Sequence, residues 1–402
     1  METVFDKASA DDYEEIVDLT NYAFSYSLGP SDFTVSLSKL FKSEYFMDGF
    51  HYLAREKGKI KAHVGAYPLE ITIEAAAFKG QEKGICLPGR GIALVAVHPY
   101  RRFKGYMQVL LKQAMREALN DGMAYCCLGG QRQRYEYFGF TPAGINYTFT
   151  CASANVTHIL GRQWESSLSL DRLSASDSVS LDQIYAMHKA KNIRVHRERG
   201  KLFDILSSWR AETFVASEGG RFEGYLVHRE HRVEGSVVTE FNLKDLSRLP
   251  ELIGLFLRTR KDVATKVWIC PHEREKIARL SGFAEQCAMG SAYQFAVLDY
   301  ARFADAFLKI KAAQQKIPQG SFVFHVKDED MGIDTTVRLF SGSNGAGAEI
   351  TDEKPALILN SLEATRFLAF HPTAMTHPVI QENDFLRGIL PLPVFWENVD
   401  AL

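Results

Sequence analysis

The sequence predicts an α+β (mixed α/β) protein of more than one domain, on three observations. Strand-like and helix-like apolar patterns alternate through the first 150 residues. A similar order of patterns returns after residue 220, and 402 residues is too long for one small core.

Asp11 to Phe24 opens with acidic residues and carries Ile16, Val17, Leu19, Ala23 and Phe24 at helical spacing, which predicts a first helix. "FHYLAREKGKIKAHVGAYPLEITIEAAAF" alternates around "EKGK", a hairpin signal, and "KGICLPGRGIALVAVHP" reads as a second strand pair ending in the run Ile92 to Val97. In "GYMQVLLKQAMREALNDG" the residues Met107, Leu110, Leu111, Ala114, Met115 and Ala118 share one helical face, and Gly122 is a natural stop. "MAYCCLG" reads as a buried strand and "RYEYFGF" as a short helix ending at Gly139, so a first domain closes near residue 150. "GRFEGYLVHREHRVEGSVVTEF", a helical stretch from Leu243 to Arg260, "KVWIC" and "IARLSGFAEQ" then echo that order and suggest an internal duplication. From about Ile317, "SFVFHVKDED" and "TTVRLFSGSNGAGAEIT" predict strands, and "ILNSLEATRFLAF" an amphipathic helix. The tail carries Leu390, Leu392, Val394, Phe395 and Trp396, so it is expected to pack rather than fray.

A formal net charge of −2 gives no global positive field to attract nucleic acid or an anionic membrane. The acidic start, with no basic segment leading into an apolar core, carries no secretory signal, and no apolar run approaches the roughly 18 residues of a membrane span. The expectation is a cytoplasmic protein with no membrane partner. Cys86, Cys126, Cys127, Cys151, Cys270 and Cys287 form no C-x-x-C pair, which favours reduced, buried thiols over a disulfide frame or metal site. The basic run "MHKAKNIRVHRERGK", residues 187–201, lacks aromatic interleaving, so it is expected to be a solvated face rather than a nucleic-acid contact.

The most informative stretch is "VAVHPYRRFKGYM", residues 95–107. A strand running into a helix leaves the first amides unpaired at the positive end of the helix dipole. Gly105 permits close approach to the backbone, and Arg101, Arg102 and Lys104 add charge: a cradle for a pyrophosphate.

That stretch resembles the acetyl-coenzyme A-binding motif of the GNAT acetyltransferases in Arg102, Phe103, Lys104, Gly105, Tyr106 and Met107, with Met107 where the family has a small residue. "RYEYFGF" is similar to the family's second coenzyme-binding element. The chain as a whole resembles the Eis (enhanced intracellular survival) group. The resemblance implies a GNAT domain over 1–150, a GNAT-like domain without coenzyme motifs over 151–295, and a sterol-carrier-protein-like domain over 296–402. It also implies acetyl-CoA as cosubstrate, a homo-oligomer (a hexamer), and an amine acceptor, expected to be cationic: an aminoglycoside, polyamine or protein lysine. Val95, Ala96 and Val97 would pair with the pantetheine arm through their backbone. Tyr135 matches the family's general acid, with Tyr137 as the runner-up. The carboxylate of Leu402 would be the base, with His63 and His98 as alternatives. Glu397, Asp400 and Asp32 are candidates for attracting a cationic acceptor. The competing expectation is a coenzyme A- or lipid-binding protein on the same scaffold, without turnover.

Overall fold

A computed structural model describes residues 3–78 and 83–402. The elements that position the site are β1 (Thr3–Lys7), α1 (Tyr13–Leu28), β2 (His51–Glu56), β3 (Lys59–Ile73), β4 (Ile85–Val97), α2 (Tyr106–Asn120), β5 (Tyr125–Leu128) and β6 (Thr141–Ala143). The first sheet runs β1-β2-β3-β4-β5, then Tyr293–Val297, then β6, and Ile193–Val195 adds to the far half of β3. The β2–β3 turn is tight because Lys57 and Gly58 both take positive φ. Among the described residues of this sheet only β4 and β5 pair in parallel, with α2 as the crossover that parallel strands require.

"KGICLPGRGIALVAVHP" forms one thirteen-residue strand rather than a pair. Its glycines are there for close approach, not for turning. A side chain at Gly89 would collide with the Tyr125 ring, and one at Gly91 with Leu69 and Leu402.

The second sheet runs Ser169–Arg172, Glu212–Glu218, Arg221–His231, Gly235–Leu243, Ala264–Ile269, Asn146–Ala152 and Gln286–Gly290. Its succession of pairings is that of the first sheet: three antiparallel, one parallel, two antiparallel. The sheets exchange their sixth strands. Asn146–Ala152 follows β6 in sequence but joins the second sheet, whereas Tyr293–Val297 follows Gln286–Gly290 but joins the first. Domain cuts at 150 and 295 pass through these exchanged strands, so neither sheet is built from one continuous stretch. Periodicity identifies a strand but not the sheet it joins.

The third unit is a four-stranded sheet, Gly345–Ile350, Ile333–Gly342, Gly320–Asp328 and Leu357–Leu359, packed with helices Tyr300–Gln314 and Ser361–Ala369. Its apolar core is continuous with one face of the first sheet through Phe295, Phe303, Phe324, Phe367 and Trp396. The tail is buried as expected, with Leu392, Val394 and Phe395 fully enclosed. Cys126, Cys127, Cys151 and Cys270 are buried free thiols, but Cys86 and Cys287 are exposed. Among the described residues no helix is long and apolar enough to cross a membrane, and no cluster of three His, Cys, Asp or Glu could hold a metal ion.

Candidate active site

Strands β4 and β5 pair only over Gly89–Gly91 and Tyr125–Cys127 and then diverge. From Ile92 to Val97 the edge of β4 that would face β5 therefore has no strand partner. That edge lines a cavity of about 780 Å³. Val95, Ala96 and Val97 lie on this wall, with Ala93 and Leu94. Leu94 takes φ +59, and β3 and β4 slip in register opposite it, so the strand bulges where it meets the cavity. His63 fixes the bulge: its Nδ1 donates to the Leu94 carbonyl at 3.1 Å, and its Nε2 accepts from His51 Nδ1 at 3.0 Å. Burial holds both imidazoles neutral, with His51 near 4 and His63 well below the usual histidine range. With both ring nitrogens engaged, His63 is a structural residue rather than a base.

The turn into α2 forms the adjoining wall through Arg101, Arg102, Phe103, Lys104, Gly105, Tyr106 and Met107. Gly105 is the residue before the helix and takes φ +79; open space surrounds the position of an added side chain, so it is the backbone conformation that calls for glycine. The first turn of α2 leaves its amides without intrahelical acceptors. The charges are arranged unequally. Arg101 and Lys104 both pair with the buried Glu56, at 2.8 and 3.0 Å, and Tyr106 donates its hydroxyl to the same carboxylate. These bonds brace the turn against β2. Arg102 donates to Ser27 Oγ at 2.8 Å and covers the Tyr26 ring. Among the described residues no carboxylate pairs with Arg102 or with Arg134, which also lines the cavity. Met107, the irregular residue of the motif, is half-buried in the wall against the apolar face of α2.

Tyr135 ends the short helix Arg132–Tyr135 and lines the cavity. Its ring meets Phe140 edge-on at 6.3 Å, and burial raises its hydroxyl above the ordinary tyrosine value, with Arg134 opposing. Tyr137 is 85% exposed and is not part of the wall, which removes the runner-up. His98 caps the turn Pro99–Arg101.

Leu402, far in sequence from every other lining residue (Trp209 is the nearest), reaches the same cavity. Like Trp209, it packs against the apolar cluster that contains Phe33, Leu37, Ala93 and Leu94. The last two residues are strapped in place. Lys39 Nζ donates to the Ala401 carbonyl at 2.8 Å and to Val399 at 3.1 Å, and Trp209 Nε1 donates to Ala401 at 3.0 Å. The Tyr293 hydroxyl sits 3.2 Å from the Leu402 carboxyl oxygen and 3.3 Å from its amide. Trp209 and Arg210 both take φ +58, a conformation costing about 1–3 kcal/mol in a non-glycine residue, so the indole is held there under strain.

The tail's carboxylates are buried rather than solvated. Asp400 accepts from Arg197 Nε and Nη2 at 3.0 and 2.7 Å, and Arg197 also holds Glu240. Glu397 accepts from Lys191 Nζ at 2.8 Å and from the Val195 amide at 3.0 Å. Burial alone would raise Glu397, but Lys191 and Arg197 outweigh it and bring it down to about 2. These residues fasten the tail and are not free to attract an acceptor. The basic run 187–201 is correspondingly internal in its key members: Lys191 and Arg197 neutralise the tail, and Arg194 pairs with Glu74. Asp32 is exposed and caps the helix Phe33–Ser36.

Trp209, Tyr293, Lys39 and the aromatic pair Phe24–Phe33 were not singled out by the sequence. Each is an ordinary residue of its local pattern, brought here by tertiary packing. Only Gly91, an isolated glycine in an apolar strand, carried a local sign of close approach.

Residues 5–143 match the acetyltransferase (GNAT) domain family. No protein of curated function matches the sequence significantly. Among solved structures, a GCN5-related N-acetyltransferase from Kribbella flavida superposes with a TM-score of 0.66 at 12% identity, covering 100% of this chain and 98% of that one. One from Anabaena variabilis gives 0.65 at 12% identity over 100% of both chains. Eis1 from Mycobacterium abscessus gives 0.64 at 13% identity, over 100% of this chain and 99% of its own. These likenesses are likenesses of fold, and within that fold residues 5–143 carry a GNAT acetyltransferase-type domain.

Proposed function

We propose that this chain is an acetyl-CoA-dependent N-acetyltransferase that transfers the acetyl group to a primary amine by direct attack. One observation carries the proposal. An unpaired strand edge, an open helix N-terminus, the half-buried Tyr135 and the chain-terminal residue Leu402 line one continuous cavity. The residues present fit the coenzyme. The backbone of Val95, Ala96 and Val97 would hold an extended arm by strand addition. The amides from Phe103 to Tyr106, with Arg102, would hold its phosphates, and Lys104 and Arg101 contribute mainly by bracing the turn.

In this proposal the amine first loses one proton to solvent. As its nitrogen bonds to the thioester carbon, the Leu402 carboxylate takes the second proton. As the carbon–sulfur bond breaks, the Tyr135 hydroxyl gives its proton to the sulfur, and proton return from the carboxylate side restores both groups. The raised Tyr135 keeps that proton at physiological pH. The matching succession of strands in the two sheets supports a tandem GNAT-like arrangement. The sterol-carrier-like assignment of the third unit, a hexamer and a cytoplasmic location remain parts of the same proposal, carried by the resemblance alone.

The test is acetyl-CoA-dependent thiol release across a panel of amines, with Tyr135→Phe and a short peptide fused after Leu402 as variants. The expected result is turnover that both variants abolish while coenzyme affinity is kept. Coenzyme binding without turnover on any amine would instead make this a binding protein.

A further inference from the structure

We infer that the acceptor is a single amine carrying an apolar, ring-bearing group, and not a polycation. The inference rests on the acetyltransferase reading and narrows its substrate class.

The acceptor's nitrogen must come to the Leu402 carboxylate, so the rest of the molecule lies against what surrounds that residue. Those surroundings are apolar and largely aromatic. Phe24 meets Phe33 edge-on at 4.8 Å, Phe33 meets Trp209 edge-on at 6.3 Å, and Leu37 is fully buried beside them. Among the described residues no aspartate or glutamate side chain lines the cavity. The acidic residues that sequence proximity would offer, Glu397 and Asp400, point into ion pairs with Lys191 and Arg197. The charged side chains that do line the cavity are all positive: Arg101, Arg102, Lys104 and Arg134.

The physical consequence is selective. A second or third ammonium on the acceptor would be stripped of water against phenyl and indole rings with no counter-charge. Among the described residues no side-chain carboxylate of the wall would offset it. A lone amine has one charge, and it must lose that charge before attacking. An apolar wall assists by lowering the amine's pKa. Any apolar ring attached to it is buried against Phe24, Phe33 and Trp209, which line the cavity and offer edge and face contacts.

Two measurements on the full chain separate the possibilities. Calorimetry on the protein saturated with coenzyme A, titrated with 2-phenylethylamine, n-butylamine, spermidine and kanamycin, decides the inference without catalysis. Burial of a phenyl ring corresponds to about a hundredfold in affinity, so 2-phenylethylamine is expected to bind about 100-fold tighter than spermidine. Equal or tighter binding of spermidine or kanamycin overturns the inference. Phe24→Asp, which sets a carboxylate in the wall, is expected to narrow the gap by about tenfold; a wild-type gap in this variant also counts against it. Thiol release with the same four amines decides the acetyltransferase reading. Turnover led by a polycation would leave that reading standing and reject this one, whereas no turnover with any amine would reject the reading on which it rests.

Discussion

Gly91→Ala tests the role of the chain terminus with a single methyl group. Gly91 lies in β4 at the last position paired to β5, and its backbone is not in the left-handed region, so alanine fits the local conformation. The methyl would overlap the Leu402 δ-carbon and stand 2.6 Å from the Leu69 Cδ1, where ordinary contact begins at 3.4 Å. The Leu402 side chain must therefore retreat by more than ~1 Å, and its carboxylate, 3.2 Å from the Tyr293 hydroxyl, moves with it. A displacement of that size from a reacting group costs about 100-fold in rate. Overpacking of this kind costs about 1–3 kcal/mol in stability, small enough for a folded protein to be assayed. In thiol-release kinetics kcat is expected to fall about 100-fold, with KM for acetyl-CoA little changed. Adding Leu402→Ala removes the clashing carbons but keeps a carboxylate on residue 402, and should recover at least about tenfold. Wild-type kcat in Gly91→Ala, or a defect that the second substitution does not relieve, would refute the reasoning.

Other substitutions probe the remaining parts. Tyr135→Phe should lower kcat by about 10²–10⁴ while acetyl-CoA binding, measured by calorimetry, is unchanged. Because burial raises Tyr135 above its ordinary value, the wild-type kcat should show no descending limb below about pH 10. Gly105→Ala forces a side chain into φ +79 at a cost of about 1–2 kcal/mol and should raise KM for acetyl-CoA more than it lowers kcat. Arg197→Met leaves Glu240 and Asp400 buried without their shared cation and should cost about 3–5 kcal/mol in denaturant unfolding. Glu397 and Glu240 are held below their unfolded value of 4.5, so their contribution is present above that pH and is lost as pH falls towards about 2. Burial raises Asp400 and gives it the opposite sign. The thermal midpoint should drop through that window, and less steeply in Arg197→Met.

Much of the candidate coenzyme wall was legible in the sequence because it is local. Strand, turn and helix follow one another from Ile85 to Asn120, and the amides, Gly105 and Arg102 lie within a few residues. The motif position of Tyr135 is one that lines the cavity, whereas Tyr137, two residues on, is exposed. Other expectations misread local signs. "KGICLPGRGIALVAVHP" reads as a strand pair, whereas the chain runs straight through it as one strand and its glycines admit Tyr125 and Leu402. Glu397 and Asp400 read as candidates for attracting a cationic acceptor because their partners lie some 200 positions away in the sequence.

By itself the sequence determined the segments: which stretches form strands and helices, where amides are left free for an anion, and that an apolar tail must be packed. Those properties follow from side-chain periodicity and backbone conformation over a few residues. Tertiary structure alone decided which sheet the strands Asn146–Ala152 and Tyr293–Val297 join, and that Trp209, Tyr293 and Lys39 hold the terminus in the cavity. It also decided that the wall around Leu402 is aromatic and free of side-chain carboxylates among the described residues. In the proposed reading the coenzyme would be gripped largely by backbone from one continuous stretch, whereas the acceptor would be met by single side chains from several separate ones. No local pattern can assemble those, because what brings them together is the burial of their apolar faces against each other.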